Sequence, residues 1–189
     1  MPRLYFRYGT VASRKSLDLL SVRHTYIMQG KRVLVIKPRL DVRDGATTVS
    51  SRAGLACEAD AIIDTPDDVT NMDVDGVSCV LAEEAQFFAP SVIDALWALA
   101  HRVPVICYGL RTDFQTNSFA GSKRLLELAD NIEEIKTTCL LCNKKASFNL
   151  RHVNGVAVRE GNQVKLGKED MYAGVCHYHY ENFSLVQKQ

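Results

Sequence analysis

Apolar runs and amphipathic stretches alternate along the chain from its start to residue 131. Four of the runs are rich in β-branched and aromatic residues and therefore predict strands. They are 3–8, 31–36, 76–81 and 103–108. Apolar positions recur at helical spacing in 91–100 and 122–131, and a helix-like segment begins at Ser16. This alternation predicts an α/β fold, in which helices flank a parallel sheet and ligands bind beyond the carboxyl ends of the strands.

The first predicted strand and helix are joined by an octet with the pattern of a phosphate-binding loop, or P-loop. It reads Gly9-Thr10-Val11-Ala12-Ser13-Arg14-Lys15-Ser16. In such a loop the backbone N–H groups bind a polyphosphate, Lys15 contacts its outer phosphates and the Ser16 hydroxyl joins the Mg²⁺ shell. Arg14 stands where the pattern has its second glycine, and a positive φ there would cost about 1 kcal/mol or more. A match that lacks one glycine also arises by chance. Other motifs must therefore decide whether the octet binds phosphate.

Two adjacent carboxylates, Glu83 and Glu84, follow the strand predicted at 76–81. Successive strand residues point to opposite sides, so we expect separate roles for the two. One would organise Mg²⁺ and the other would take a proton from an attacking hydroxyl, as in phosphoryl-transfer sites. The alternative is a solvated acidic pair that opens a loop. Leu110 and Phe114 follow the next predicted strand and offer an apolar, aromatic surface at the same rim.

The chain carries two knuckles of metal-ligand spacing, Cys139-x-x-Cys142 and Cys176-x-x-His179. Three thiolates and one imidazole are the ligand set of a closed tetrahedral zinc site. His177 competes with His179, but it lies too close to Cys176 for the usual geometry. The pattern therefore predicts a structural Zn²⁺.

The segment between the knuckles carries short β-like pieces at 153–158 and 163–166 that glycines interrupt. We expect it to form a small lobe held by zinc. The predicted division is a nucleotide-binding α/β domain at 1–138 and a zinc-binding lobe at 139–189.

Composition narrows the class of protein. The 189 residues suffice for one medium domain, or for a domain with a small appendage, and the net charge of +1 gives no case for binding nucleic acid or an anionic membrane. A membrane span and the apolar core of a signal peptide are both missing from the sequence, so a cytoplasmic protein is expected. In that reducing compartment the six cysteines are thiols or metal ligands, and Cys57, Cys79 and Cys107 are expected in the core.

Taken together, the motifs and their order resemble the zinc-containing thymidine kinases of bacteria, their phages and animal cytosol. Besides the loop and the two knuckles, the resemblance rests on short motifs spread over nearly the whole chain. They are Lys37-Pro38 with Asp41-x-Arg43, Ser50-Ser51-Arg52, Glu84-Ala85-Gln86-Phe87, Tyr108-Gly109-Leu110-x-x-Asp113-Phe114, Leu128-Ala129-Asp130 and Tyr172.

The resemblance implies transfer of the ATP γ-phosphate to the 5′-hydroxyl of thymidine, with deoxyuridine as a further acceptor and Glu84 as the catalytic base. It implies that Phe114 stacks on the thymine ring beside Leu110. It further implies that a lasso loop closes over the nucleoside, and that the protein is a homotetramer. The lasso residues are Val164, Leu166, Gly167 and Tyr172. The implied contacts to ATP and Mg²⁺ are Gly9, Thr10, Ser13, Arg14, Lys15, Ser16, Arg43, Glu83 and Gln86.

Two residues depart from the pattern of this family. Arg14 replaces the glycine of the phosphate loop, and Glu83 replaces the aspartate that usually precedes the catalytic glutamate. One alternative therefore stays open, a catalytically impaired homologue that binds nucleoside or nucleotide without efficient turnover. Because the base, the aromatic platform and the zinc ligands are all present, we expect an active enzyme.

Overall fold

A computed structural model describes residues 3–42, 45–163 and 171–183, apart from the side chain of Met171. The first eight strands are β1 (Leu4–Tyr8), β2 (Arg32–Pro38), β3 (Thr48–Ser50), β4 (Ala56–Glu58), β5 (Ala61–Ile63), β6 (Val77–Ala82), β7 (Val105–Gly109) and β8 (Asn131–Glu134). Six of them form one sheet of parallel strands in the spatial order β5-β2-β6-β7-β1-β8. The strands β3 and β4 form a separate antiparallel hairpin.

Helices cover both faces of the sheet, as the sequence predicts. They are α1 (Lys15–Met28), α2 (Pro66–Thr70), α3 (Pro90–Leu99), α4 (Ala120–Leu128) and α5 (His177–Glu181). Proline in the first turn of α2 and of α3 fits there because that turn has no intrahelical partner for its N–H groups. Among the described residues, no helix is both long enough and apolar enough to span a bilayer.

The alternation of side chains along β2 shows how the two faces are buried. Leu34 and Ile36 enter the core shared with α3 and α4, whereas Val35 enters the core on the side of α1. Both neighbours of β2 in the sheet are parallel strands. Parallel sheets are covered on both faces, and each face of β2 packs into one of the two cores. This double burial is the reason for the continuous apolar run in the sequence.

A smaller sheet follows the first knuckle. It is antiparallel, with β9 (Phe148–Val153) between β10 (Val156–Val158) and β11 (Met171–Val175). Its core contains Leu150, Val175 and Tyr180 together with Cys139 and Cys176 of the two knuckles. The predicted lobe with its Cys/His cluster is therefore present.

Two local predictions differ from the structure, and a third falls almost entirely outside the described residues. The helix expected at 122–131 runs from Ala120 to Leu128, and Asn131 instead begins β8, where it pairs with Tyr5. The piece expected at 153–158 is a hairpin, since Asn154 and Gly155 both have positive φ and turn the chain. The piece expected at 163–166 lies outside the described residues from 164 onward. Contacts with the edge of the sheet and turn geometry, rather than local periodicity, decide the first two of these segments.

Candidate active site

One large cleft of about 660 Å³ opens at the carboxyl ends of the sheet strands. Its walls come from the β1–α1 loop, the segment after β6, the segment after β7 and the second lobe. Of the residues singled out from the sequence, the cleft is lined by Ser13, Arg14, Lys15, Ser16, Glu83, Glu84, Gln86, Leu110, Phe114 and Tyr172. The structure thus brings the candidate phosphate, acidic and nucleoside residues to one place.

The β1–α1 loop has the tight backbone of a phosphate-binding loop. A Cβ on Gly9 would lie 2.2 Å from the Ser13 Oγ and 2.7 Å from the Ile135 carbonyl oxygen, so only glycine fits there. The buried Ser13 hydroxyl has no hydrogen-bond partner among the described residues. Lys15 donates from Nζ to the Thr10 carbonyl oxygen at 2.8 Å. A phosphate in the cleft would supply the acceptor that the Ser13 hydroxyl lacks.

Arg14 has φ +70° and ψ +24°, the left-handed conformation that a glycine adopts without strain. The condition under which strain is expected from the sequence at this position, a positive φ, is therefore met. Ala12, two residues earlier, also has a positive φ of +59°. At position 14 the loop therefore has the backbone conformation that glycine would adopt, although glycine is absent. The strain is about 1–2 kcal/mol for each such residue.

We expect Arg14→Gly to stabilise the fold by up to about 1 kcal/mol. The substitution relieves roughly 1–2 kcal/mol of strain in the native state. Part of this stabilisation is offset because glycine gives the unfolded state more chain entropy. Urea unfolding followed by circular dichroism measures the difference. Arg14→Ala is the matched control, because it removes the charge but keeps the Cβ, and it should gain no stability. A stabilisation of equal size in both variants would contradict the role of φ.

A polar triad fixes the first turn of α1 against the sheet. Arg7 on β1 donates to the Asp18 carboxylate at 2.9 Å and to the Tyr108 hydroxyl at 3.1 Å, and Tyr108 donates to the same carboxylate at 2.9 Å. Burial, reinforced by Asp18, raises the pKa of the Tyr108 phenol, so Tyr108 stays a neutral donor. Since Asp18 lies less than one turn after Lys15, the triad holds the start of α1 in place.

The two acidic side chains face different partners. Ser16 donates through Oγ to Glu83, whereas Glu84 accepts from the side-chain amide of Gln86. The carbonyl of that amide accepts from the Leu110 backbone N–H at 3.0 Å. The Gln86 side chain therefore ties Glu84 to the rim after β7. The different partners of Glu83 and Glu84 fit the prediction that the two carboxylates have separate roles.

Glu84 itself is 7% exposed and has φ +48° and ψ +40°. A non-glycine residue in this region is strained, and such strain concentrates at functional sites where the surroundings hold it. The short 3-10 helix Ala85–Phe87 begins directly after it, and the Phe87 N–H donates to the Glu84 carbonyl oxygen at 3.0 Å. The turn presents the carboxylate to the cleft.

The wall opposite the phosphate loop is aromatic. Phe114 is only 1% exposed, and the Arg151 guanidinium lies 5.2 Å from the centroid of its ring. Asp113, its neighbour, accepts from the Gln115 and Asn117 backbone N–H groups at 2.8 and 2.9 Å. These contacts fix the segment that carries Phe114.

Several residues that contribute to the site could not be assigned a role from the sequence. Lys37 is completely buried, 3.2 Å from Asp41, and it donates to the Gly45 and Thr48 carbonyl oxygens, so it anchors the loop after β2. Asn149 and Gln163 also line the cleft. In the sequence the pair Lys37-Pro38 stands out only as part of a family motif, and Asn149 and Gln163 carry no local signal.

Some predicted residues lie elsewhere. Gly9 and Thr10 do not line the large cleft; they form the part of the loop that packs against the second lobe and β7. Arg43 and the lasso residues Val164, Leu166 and Gly167 lie outside the described residues.

The four knuckle residues converge on a single point. Their ligand atoms all lie within 4.8 Å of one another. The Cys142 and Cys176 Sγ atoms are 3.8 Å apart, and the His179 Nδ1 lies 3.3 Å from the Cys139 Sγ and 3.5 Å from the Cys176 Sγ. Tetrahedral zinc with Zn–S about 2.3 Å and Zn–N about 2.0–2.1 Å separates two sulfurs by about 3.8 Å, and sulfur from nitrogen by about 3.5 Å. The distances therefore fit zinc.

The environment of Cys139 in the cluster differs from that of the core thiols Cys79 and Cys107. Burial opposes ionisation of Cys139, but backbone N–H groups of Cys176 and Leu141 and the His179 ring lower the pKa of its thiol to about 6. A lowered pKa favours the thiolate that binds metal. Burial raises the pKa of Cys79 to about 12 and that of Cys107 still further, so these two are core thiols as expected.

A phosphate-binding loop at the carboxyl ends of a parallel sheet, with an acidic strand end opposite it, defines a P-loop nucleotide-binding protein of the α/β class. A family model described as thymidine kinase matches residues 2–180. The thymidine kinase of Streptococcus pyogenes serotype M28 is 44% identical over 96% of the chain and 98% of its own length. The thymidine kinase of Lactococcus lactis subsp. lactis is also 44% identical, over 95% of the chain and 97% of its own length. The thymidine kinase of Streptococcus agalactiae serotype Ia is 43% identical over 96% of the chain and 98% of its own length. The chain belongs to the thymidine kinase family.

Proposed function

We propose that the protein transfers the γ-phosphate of ATP to the 5′-hydroxyl of thymidine, with deoxyuridine as a further acceptor. The observation that carries this proposal is the single cleft in which the phosphate loop, Glu84 and the aromatic wall at Phe114 meet. Phosphoryl transfer needs little more than correct positioning and charge stabilisation, and both donor and acceptor groups must reach one site.

The donor side is assigned to the loop. The backbone N–H groups at the start of α1 and Lys15 bind the β- and γ-phosphates, and the Ser13 hydroxyl donates to a phosphate oxygen. Ser16 and Glu83 hold Mg²⁺, which fits their mutual contact. When bound, the ion neutralises charge on the phosphates during transfer. The additional methylene of glutamate at position 83 leaves its carboxylate within hydrogen-bonding reach of Ser16.

The acceptor side is assigned to Glu84 and the aromatic wall. Glu84 accepts the proton of the 5′-hydroxyl as that oxygen attacks the γ-phosphorus, and the bond from that phosphorus to the β,γ-bridging oxygen breaks, so that ADP leaves. The contact from Gln86 orients the carboxylate and links it to the Leu110 backbone, so the base is tied to the nucleoside wall. Phe114 and Leu110 contact the base ring, with Tyr172 on the opposite lobe. Arg43, Val164, Leu166 and Gly167 keep their predicted roles at the transferred phosphate and around the nucleoside.

We further propose that the four-residue cluster binds structural Zn²⁺. All four positions are filled by protein ligands, and such closed sites stabilise folds rather than catalyse. The two-part division at residues 138/139, a homotetramer and a cytoplasmic location also remain predictions, and light scattering of the purified protein tests the oligomeric state.

Product analysis tests the proposed reaction. The purified protein is incubated with γ-labelled ATP and Mg²⁺ and, separately, with thymidine, deoxyuridine, deoxycytidine and deoxyadenosine. We expect label in the 5′-monophosphates of thymidine and deoxyuridine. Transfer of label only to the purine nucleoside, or only to water, would contradict the assignment.

A further inference from the structure

The second lobe reaches the phosphate loop directly. Asn149 on β9 is 4% exposed, and its Oδ1 accepts from the Val11 backbone N–H at 2.8 Å. Its Nδ2 donates to the Thr112 carbonyl oxygen, in the segment after β7, at 2.7 Å. One buried side chain thus connects the lobe, the phosphate loop and the nucleoside rim.

A second contact lies beside the first. Gly174 on β11 pairs in register with Asn149. A Cβ at position 174 would lie 2.8 Å from the Thr10 Oγ1 and 3.0 Å from the Val11 carbonyl oxygen. The lobe packs so closely on the loop that any side chain at this position would displace one or the other.

The metal cluster is joined to this contact by the backbone. The N–H of Leu140, between the two cysteines of the first knuckle, donates to the Gly174 carbonyl oxygen at 3.0 Å. The second knuckle begins two residues after Gly174, at Cys176. A metal that fixes both knuckles therefore also fixes the residue that presses on Thr10 and Val11.

We propose that the metal-binding lobe holds the phosphate loop in its ATP-binding shape, with Asn149 and Gly174 as positioning residues for the donor site. This rests on the proposed function, because it says how that site is kept ready for ATP. The loop needs such support, since Ala12 and Arg14 both have positive φ without being glycine. Strained residues persist only where their surroundings hold them, and the two lobe contacts fall on the residues directly before Ala12.

Two substitutions separate this role from general stability. Asn149→Leu keeps the number and branching of the side-chain heavy atoms but removes both hydrogen bonds, and Gly174→Ala introduces the clashing Cβ. The matched control is Asn182→Leu in the same lobe, which removes a hydrogen bond to the Tyr178 carbonyl oxygen, away from the loop. Binding of a fluorescent ATP analogue and the KM values for ATP and thymidine are measured on each folded variant.

We expect Asn149→Leu and Gly174→Ala to weaken ATP-analogue binding and to raise the KM for ATP by roughly 10-fold, with the KM for thymidine much less affected. Asn182→Leu should leave both KM values unchanged. An unchanged analogue affinity in both variants, or a rise confined to the KM for thymidine, overturns the proposal. Because the analogue is bound without thymidine, failure of the proposed reaction would leave this result interpretable.

Hydrogen exchange keeps the proposal testable even where a variant fails to fold. In the metal-loaded wild-type protein the Val11 amide should exchange slowly, since Asn149 accepts its hydrogen bond. Removal of the metal with a chelator should accelerate exchange in residues 9–14. Unaltered exchange there after metal loss would overturn the coupling.

Discussion

Replacing Glu84 with glutamine should lower kcat for thymidine phosphorylation by about 10³-fold, while the protein stays folded and binds both substrates. General-base catalysis contributes roughly 10²–10⁴-fold, and glutamine keeps the size of the side chain but cannot accept the proton. The contact between Gln86 and position 84 can re-form, since the amide introduced at position 84 can turn its carbonyl oxygen toward the Gln86 Nε2. Steady-state kinetics with thermal unfolding as the folding check measures the effect.

The neighbouring carboxylate supplies the control. Glu83→Gln alters charge one residue away, but its partner is Ser16 rather than the acceptor hydroxyl. It should chiefly raise the Mg²⁺ concentration needed for half-maximal rate. A loss of less than about 10-fold for Glu84→Gln, against the range expected for a base, would exclude that role. Identical Mg²⁺ dependence in the two variants would show that the two carboxylates do not have separate tasks.

Removing a metal ligand should have the second large effect. Cys142→Ser leaves three ligands, and we expect the purified protein to lose its zinc and to unfold at markedly lower temperature. Structural zinc contributes apparent binding free energies of about 10–16 kcal/mol in small zinc domains, much of which is folding free energy. The lobe then no longer supports Tyr172 or the phosphate loop, so both substrates should bind more weakly.

Cys57→Ser is the matched control for this variant. Cys57 is half-buried beside the core on the α1 side and is not part of the cluster. It should keep its zinc, as measured by atomic absorption, and most of its activity. A Cys142→Ser protein with full zinc content would contradict the assignment of the four ligands.

Much of the fold could be predicted because local sequence decides it. The runs at 31–36 and 76–81 are largely apolar, as expected for strands buried on both faces, and each matches an observed strand within a few residues. The spacing of cysteine and histidine in the two knuckles is enough to predict the four candidate metal ligands. The missing glycine at position 14 marks where strain could arise, although the sign of φ at Arg14 comes from the structure.

Other features depend on contacts distant in sequence. Asn149 meets Val11 across 138 positions of the chain, and nothing in its neighbours distinguishes it from a surface asparagine. Asn131 follows a helical pattern but joins the edge of the sheet beside β1. The strain at Glu84 arises from the turn into the 3-10 helix, and no glycine marks it. Tertiary contacts override local preference at each of these places.

The loop also explains why a missing glycine is compatible with an active enzyme. Arg14 occupies the backbone conformation that glycine would adopt, so the substitution affects energy rather than shape. Support from Asn149 on one side and from the Arg7, Asp18 and Tyr108 triad on the other holds the strained backbone.

The most direct test of the account is kcat for ATP-dependent conversion of thymidine to its 5′-monophosphate by the wild-type chain, measured beside Arg14→Gly. We predict that the wild-type protein turns over and that Arg14→Gly changes kcat by less than about 10-fold, because the phosphate is not displaced. An inert wild-type protein whose activity is restored by Arg14→Gly would contradict the account and would identify the chain as a kinase fold silenced at its phosphate loop.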